Sequence, residues 1–164
     1  MTDNTEFVKQ VYQDFLNRAP DTEGLNYWAN QLEAGTLERS ELVEQYLVSA
    51  EFGQTISPVV RLYFTYYLRT PDYEGLMFWV NSYAAGMSLN DISDEFATAQ
   101  EFIDRYGSLT NEAFISQMYI NVYGREPDVG GLAYWTDFLD TGALTRGEVM
   151  VFFSSAEELS LIHI

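Results

Sequence analysis

An eleven-residue phrase recurs three times along the chain: RAPDTEGLNYW from Arg18, RTPDYEGLMFW from Arg69 and REPDVGGLAYW from Arg125. Trp28, Trp79 and Trp135 are separated by 51 and then 56 residues, and Arg18, Arg69 and Arg125 keep the same intervals. So do Pro20, Pro71 and Pro127, and Gly35, Gly86 and Gly142. Catalytic motifs are seldom written out in triplicate, whereas supersecondary units that stack to bury a shared core often are. The register predicts one domain over 1–164 built from repeats 5–52, 57–102 and 110–159. The second copy lacks one residue after Gly86 and gains six between Phe102 and Ile115, which accounts for the longer second interval.

Each copy reads as three helices, so the expected fold is all-α, with about nine short helices sharing one core. The first helix is aromatic and amphipathic: Phe7, Val8, Val11, Tyr12, Phe15 and Leu16 fall at helical spacing. Ser57 and Thr110 are candidate N-caps of its later copies, and Arg18, Arg69 and Arg125 fall at its end, where a cation suits the last carbonyls. Asp21, Asp72 and Asp128 then stand one residue after a proline and read as N-caps of the second helix. Gly24, Gly75 and Gly131 follow at the third helical position, where glycine is a poor helix former and instead permits close approach of a backbone or a ring. Leu25, Trp28, Ala29 and Leu32 form the expected buried stripe, repeated as Leu76, Trp79, Val80, Tyr83 and as Leu132, Trp135, Thr136, Leu139. Gly35, Gly86 and Gly142 suit the residue just past the helix. Capping boxes at Ser88–Asp91 and Thr145–Glu148 open the third helix; ERSE at Glu38–Glu41 lacks the hydroxyl. Leu42, Tyr46, Leu47, Ala50 and Phe52 supply the apolar positions of that helix.

Hydrophobic residues make up 47% of the chain and aromatic residues 16%, enough to build a sizeable core. Twenty-five acidic side chains against eight basic ones give a net charge of −17, and the acid is spread along the whole length. Such a surface repels phosphate backbones and anionic headgroups, which argues against nucleic acid as a partner. There is no cysteine, hence no disulfide, thiolate metal site or cysteine nucleophile. MTDNTEFVKQ has neither a basic start nor an apolar run, so no N-terminal Sec signal is visible, and no stretch of about 18 apolar residues would span a membrane. The ending EELSLIHI has no polar tail and suggests a piece of a longer chain.

The single histidine, His163, stands beside the C-terminus, and no nucleophile–base set, zinc ligand set, phosphate loop or EF-hand spacing accompanies it. No enzymatic activity is expected. The repeated tryptophan lies on the leucine stripe and reads as core. The ring before it, Tyr27, Phe78 or Tyr134, points about 100° away around the helix, toward solvent. Tyr73 stands in a first helical turn, where the other copies have Thr22 and Val129. The repeated arginine reads as a helix-end cation paired with the nearby aspartate.

GREPDVGGLAYW from Gly124, NRAPDTEGLNYW from Asn17, and SAEF at Ser49–Phe52 resemble the bacterial family called domain of unknown function 4214. The resemblance covers nearly the whole chain; the second copy departs, with Leu68 before Arg69, Phe78 in place of tyrosine and AQEF at Ala99–Phe102. The resemblance implies no catalytic residues. It implies an extracellular, cell-surface setting: such domains occur in large secreted or surface-layer proteins. They look like the helical domains that hold surface layers to lipopolysaccharide, and like the helical linkers of light-harvesting assemblies. The expected function is thus a non-enzymatic module that attaches a surface-layer or adhesin protein to a bacterial surface polysaccharide, the lipopolysaccharide O-chain. Tyr27, Tyr73 and Tyr134 would stack on sugar rings, Arg18 and Arg125 would bond hydroxyls, and calcium would bridge to an acidic glycan. The alternative is a protein–protein assembly module, joining other copies or domains of a longer surface protein in a lattice, or acting in a phage virion.

Overall fold

The structure, a computed structural model, describes residues 3–155. Its described residues form eleven α-helices and no strand. In order these are α1 (Asn4–Leu16), α2 (Thr22–Glu33), α3 (Arg39–Leu47), α4 (Ala50–Thr55), α5 (Ser57–Tyr67), α6 (Tyr73–Ala84), α7 (Leu89–Thr98), α8 (Gln100–Tyr106), α9 (Asn111–Tyr123), α10 (Val129–Asp140) and α11 (Arg146–Ser154). The chain divides into two compact units, Met1–Ser57 and Pro58–Ile164.

The expected all-α class holds, but nine helices were too few. The third helix of the first two copies breaks in two. After α3, Val48 closes the helix and Ser49 starts another, its hydroxyl accepting from Phe52 N at 3.2 Å. After α7, Ala99 turns to extended backbone before α8 begins. The break leaves Leu47 and Ala50, expected to be apolar core, exposed beside buried Phe52.

The expected aspartate caps are all formed. Asp21, Asp72 and Asp128 accept from the amides of Gly24, Gly75 and Gly131 at 2.7, 2.8 and 2.8 Å. Gly35, Gly86 and Gly142 adopt positive φ just past their helices, at 66°, 102° and 69°, a conformation that glycine takes without steric cost. Thr110 caps α9, but α5 starts at Ser57 itself, so Ser57 is its first residue rather than the cap before it. The Glu38–Glu41 opening forms a capping box without a hydroxyl, in which Glu38 N donates to the Glu41 carboxylate at 2.7 Å.

In unit 1, α1 packs on α2, α3 and α4. It contributes buried Val8, Val11, Tyr12 and Leu16, with Leu42 and Tyr46 from α3 and Phe52 from α4. In unit 2, α7 and α11 form the most extensive helix pair, α10 lies on α9, and α6 and α8 lie on α7. Buried polar groups hold α5 in place: Tyr66 Oη and Ser93 Oγ share a hydrogen bond of 2.9 Å, Tyr67 Oη donates to Phe96 O at 3.1 Å, and Asn121 Nδ2 donates to Thr65 O at 3.0 Å. Pairing of this kind is what lets polar atoms be buried without large cost.

The second-helix stripe is less buried than its pattern suggests. No residue of α2 or α10 is fully buried, and Trp28, Trp79 and Trp135 are each partly exposed. The reason is that α2 packs chiefly on α1, and α10 on α9, so the opposite flank of each stripe stays open.

Candidate functional site

The repeated phrase builds the same constellation at each occurrence. Where glycine follows the aspartate cap, a tyrosine hydroxyl from the preceding helix closes in. A Cβ on Gly24 would lie 2.5 Å from Tyr12 Oη, one on Gly75 2.9 Å from Tyr63 Oη, and one on Gly131 3.3 Å from Tyr119 Oη. Next to that tyrosine, an aromatic ring from the third helix meets the repeated tryptophan. Tyr46 lies 5.1 Å from Tyr12 and 6.1 Å from Trp28, ring centre to ring centre. Phe96 lies 4.9 Å from Tyr63 and 5.4 Å from Trp79; Phe153 lies 5.1 Å from Tyr119 and 5.3 Å from Trp135. Most of these are edge-to-face contacts, the favoured geometry for rings with a negative face and a positive edge.

The arginine that opens the phrase sits over the same tyrosine, with its guanidinium carbon 5.1 Å from the Tyr12 ring centre, 5.2 Å from Tyr63 and 5.8 Å from Tyr119. In the first two copies its principal acidic partner is a distant glutamate, with the nearby aspartate adding a longer ion pair at Arg69. Arg18 forms a bidentate pair with Glu51, Nη2 to Oε2 at 2.9 Å, and Arg69 forms the same pair with Glu101 at 2.7 and 2.8 Å, whereas Asp72 is 4.0 Å from Arg69. Nor do these arginines bond the last carbonyls of the preceding helix. Nη1 of Arg18, Arg69 and Arg125 instead donates to the next carbonyl along, on Ala19, Thr70 and Glu126, at 3.2, 3.0 and 3.4 Å. The hydrogen bond to Arg18 holds the Glu51 carboxyl below its usual range, and Arg69 does the same to Glu101. Counting 107 residues on from Glu51 reaches Glu158, which lies outside the described residues, as does His163.

Tyr27, Tyr73 and Tyr134 are well exposed, at 57, 58 and 57%, as is Phe78 at 62%. The rings preceding the tryptophans are held in a fixed pose: Tyr27 meets Trp28 at 4.8 Å, Phe78 meets Trp79 at 4.9 Å and Tyr134 meets Trp135 at 5.2 Å, with interplanar angles of 76, 81 and 80°. The structure therefore joins each exposed ring to the arginine–tyrosine cluster through tryptophan. Tyr73 makes no ring contact of this kind among the described residues.

Two features were missed by reading the sequence. One is Glu51 and Glu101 as arginine partners; their common position in the repeat register was the available signal. The other is a polar clamp at the foot of α1 and α9. Arg39 Nη2 donates to Asn4 Oδ1 at 2.8 Å, and Asn4 Nδ2 donates to Glu33 at 3.3 Å. Arg146, Asn111 and Asp140 repeat this 107 residues later, at 3.0 and 2.8 Å.

Unit 1 holds a cavity of about 240 Å³ lined by Tyr12, Arg18, Trp28, Gln45, Tyr46 and Glu51, among others. Burial, with the neighbouring Tyr12 phenol adding to it, pushes the Tyr46 phenol well above its ordinary range, so it is neutral at physiological pH. In unit 2, a cleft of about 410 Å³ between α9 and α10 is lined by Glu112, Leu132, Thr136, Asp137 and Asp140. Among the described residues, no group of three or more histidine, cysteine, aspartate or glutamate side chains is placed to hold a metal ion. No described helix is long and apolar enough to cross a membrane.

No curated protein and no solved structure matches the chain. A family model does match, over residues 1–56 and 93–161, which together make up more than half of the sequence, and the chain belongs to the family described as Domain of unknown function (DUF4214).

Proposed function

We propose that the chain is a non-enzymatic attachment module of three helical repeats that binds a bacterial surface glycan, of the lipopolysaccharide O-chain class, and so tethers an extracellular surface-layer or adhesin protein. The observation that supports this reading is the recurrent exposed ring set edge-on against a partly exposed tryptophan, at Tyr27, Phe78 and Tyr134. A ring already fixed in pose loses little conformational freedom when a sugar stacks on it. Tyr73 adds a further exposed ring. Arg18 and Arg125, over Tyr12 and Tyr119, supply N–H donors in the same aromatic clusters, with Arg18 also engaged by Glu51. Individually weak contacts suffice where a surface layer presents many copies.

The test is titration of purified O-chain polysaccharide into the protein, with and without calcium, beside a Tyr27→Ala/Tyr134→Ala variant. Saturable binding that the variant loses supports the reading. An acidic glycan should bind only with calcium as a bridge and be released by chelator; a neutral one should be indifferent to both.

One observation favours an assembly module instead. Phe152 is 60% exposed and lies 6.1 Å from Trp135, and Val129 is 87% exposed, so unit 2 presents apolar groups without hydroxyls. Self-association that Phe152→Ser abolishes, with no glycan binding at millimolar sugar, would establish that reading over the first.

A further inference from the structure

We infer that the face of α3 carrying Ser40, Val43 and Leu47 is a docking surface for the same face of a second copy of this chain. The inference is independent of glycan binding and of the exposed Phe152.

The template for the contact lies in unit 2, which holds the second and third copies of the phrase, with their third helices α7 and α11 packed on each other. Residues that meet across this pairing occupy the same place in the repeat. Asn90 and Gly147 stand 50 and 107 residues on from Ser40, and a Cβ on Gly147 would lie 2.6 Å from the Asn90 carbonyl oxygen. Thr65 and Asn121 stand 51 and 107 residues on from Asp14, and Asn121 Nδ2 donates to Thr65 O at 3.0 Å. Contacts between equivalent positions are the mark of a twofold relation, so the two copies pair as an isologous dimer does.

Unit 1 holds the first copy alone, and there the same face is open. Leu47 is 39% exposed where Ala97 and Ser154 are buried. Val43 is half-buried where Ser93 and Met150 are buried, and Ser40 is exposed where Gly147 is buried and Asn90 half-buried. Phe15 of α1 is half-buried where Tyr66 and Val122 are buried. Leu42 and Tyr46 behave differently: they are buried like their counterparts Ile92, Phe96, Val149 and Phe153. The shortfall in burial therefore falls on one i, i+3, i+7 stripe of α3, the stripe of Gly147 in the α7–α11 crossing.

Charge complementarity selects a second α3 as the occupant. In unit 2 the Asp94 carboxylate accepts from the Gly147 N–H, a first-turn amide with no partner inside its own helix. Glu44 stands at the place of Asp94 and Ser40 at that of Gly147, and both are exposed. Two α3 helices related by a twofold axis offer each other this bond twice, a carboxylate on the positive end of a helix. Two features oppose it. Asp14 would face Asp14 where unit 2 has Thr65 and Asn121, and each chain carries a net charge of −17. The dimer is therefore weak and tightened by salt.

Sedimentation velocity of the full chain, from about 10 μM to about 1 mM, reads the association by mass action. The expected result is a monomer–dimer equilibrium that tightens as salt is raised. Leu47→Asp should weaken it about tenfold or more, and Asp14→Asn should tighten it about tenfold, because like charges no longer oppose each other. Phe152→Ser should leave it unchanged. Leu47 is already exposed, so the thermal midpoint of Leu47→Asp should hold, and the gain in Asp14→Asn is one that unfolding cannot mimic. A wild-type chain that stays monomeric to about 1 mM overturns the proposal, as does a dimer indifferent to both substitutions. A dimer lost only in Phe152→Ser puts the interface on unit 2 and overturns it as well.

Discussion

Gly147, in the first turn of α11, donates its backbone N–H to the Asp94 carboxylate of α7 at 2.7 Å. A Cβ at position 147 would sit 2.5 Å from the Asp94 amide nitrogen and 2.6 Å from the Asn90 carbonyl oxygen. Both are backbone atoms and cannot swing aside, so the crossing of α7 and α11 is set by the absence of a side chain here. Gly147→Ala should lower stability by about 1–3 kcal/mol, the usual result of overpacking, even though alanine is the better helix former by about 1 kcal/mol. Urea denaturation reads the change; an unchanged midpoint would show that the two helices part freely.

The glycines of the repeated phrase should behave differently, because each faces the hydroxyl of a tyrosine. Their spacing from it runs 2.5, 2.9 and 3.3 Å at Gly24, Gly75 and Gly131, so the cost of alanine should fall in that order. At Gly24 the obstacle is one atom, since the Tyr12 ring carbon behind it is at an ordinary 3.5 Å. Gly24→Ala in a Tyr12→Phe background should therefore be neutral or stabilising by up to about 1 kcal/mol, alanine's propensity advantage. A double-mutant cycle without coupling would refute the hydroxyl as the cause.

Each repeated tryptophan is partly exposed; among the described residues, Trp28 and Trp79 each touch two rings and Trp135 touches four. Trp28→Ala, Trp79→Ala and Trp135→Ala should each cost about 2–3 kcal/mol, below the roughly 3–5 kcal/mol of a fully buried aromatic ring. Thermal or chemical denaturation of the three variants checks this, and a loss of less than about 0.5 kcal/mol at any of them would mean its cluster adds nothing to stability.

The Arg18–Glu51 and Arg69–Glu101 pairs carry a pH signature. Both glutamates are held below the ordinary value of 4.5 in the folded chain, chiefly by the hydrogen bond from arginine. A depressed carboxylate stabilises the fold fully above its unfolded value, and that contribution is lost as pH falls through the lower, folded value. The stability gap between wild type and a Glu51→Gln/Glu101→Gln variant should thus be present at pH 6 and shrink below about pH 4. The pairs are partly solvated, so the gap should be small, about 0.2–1 kcal/mol per pair, and reduced by salt. A gap that grows on acidification would contradict the assignment.

Local chemistry decided everything that was legible without coordinates. The aspartate caps, the glycines past the second helices and the helical class follow from interactions within one or two turns of chain, and those are written in adjacent residues. Even the use of Gly24, Gly75 and Gly131 for close approach could be read, because glycine at a third helical position needs a reason. What closes on them could not: the tyrosines lie twelve residues earlier in each copy, and only the packing of one helix on the next brings the hydroxyl there. The glutamate partners of the arginines lie 32 or 33 residues away, so a nearer aspartate looked the better candidate until folding brought α4 and α8 to the phrase. Burial of the tryptophans was overestimated for a similar reason. A helical stripe records which face turns inward, not how many neighbours cover it, and α2 and α10 each rest mainly on one helix. The hydroxyl of Tyr46 is the sharpest case: the sequence shows a tyrosine where the other copies have phenylalanine, and only the tertiary structure buries that oxygen, because burial depends on distant elements that no local pattern encodes.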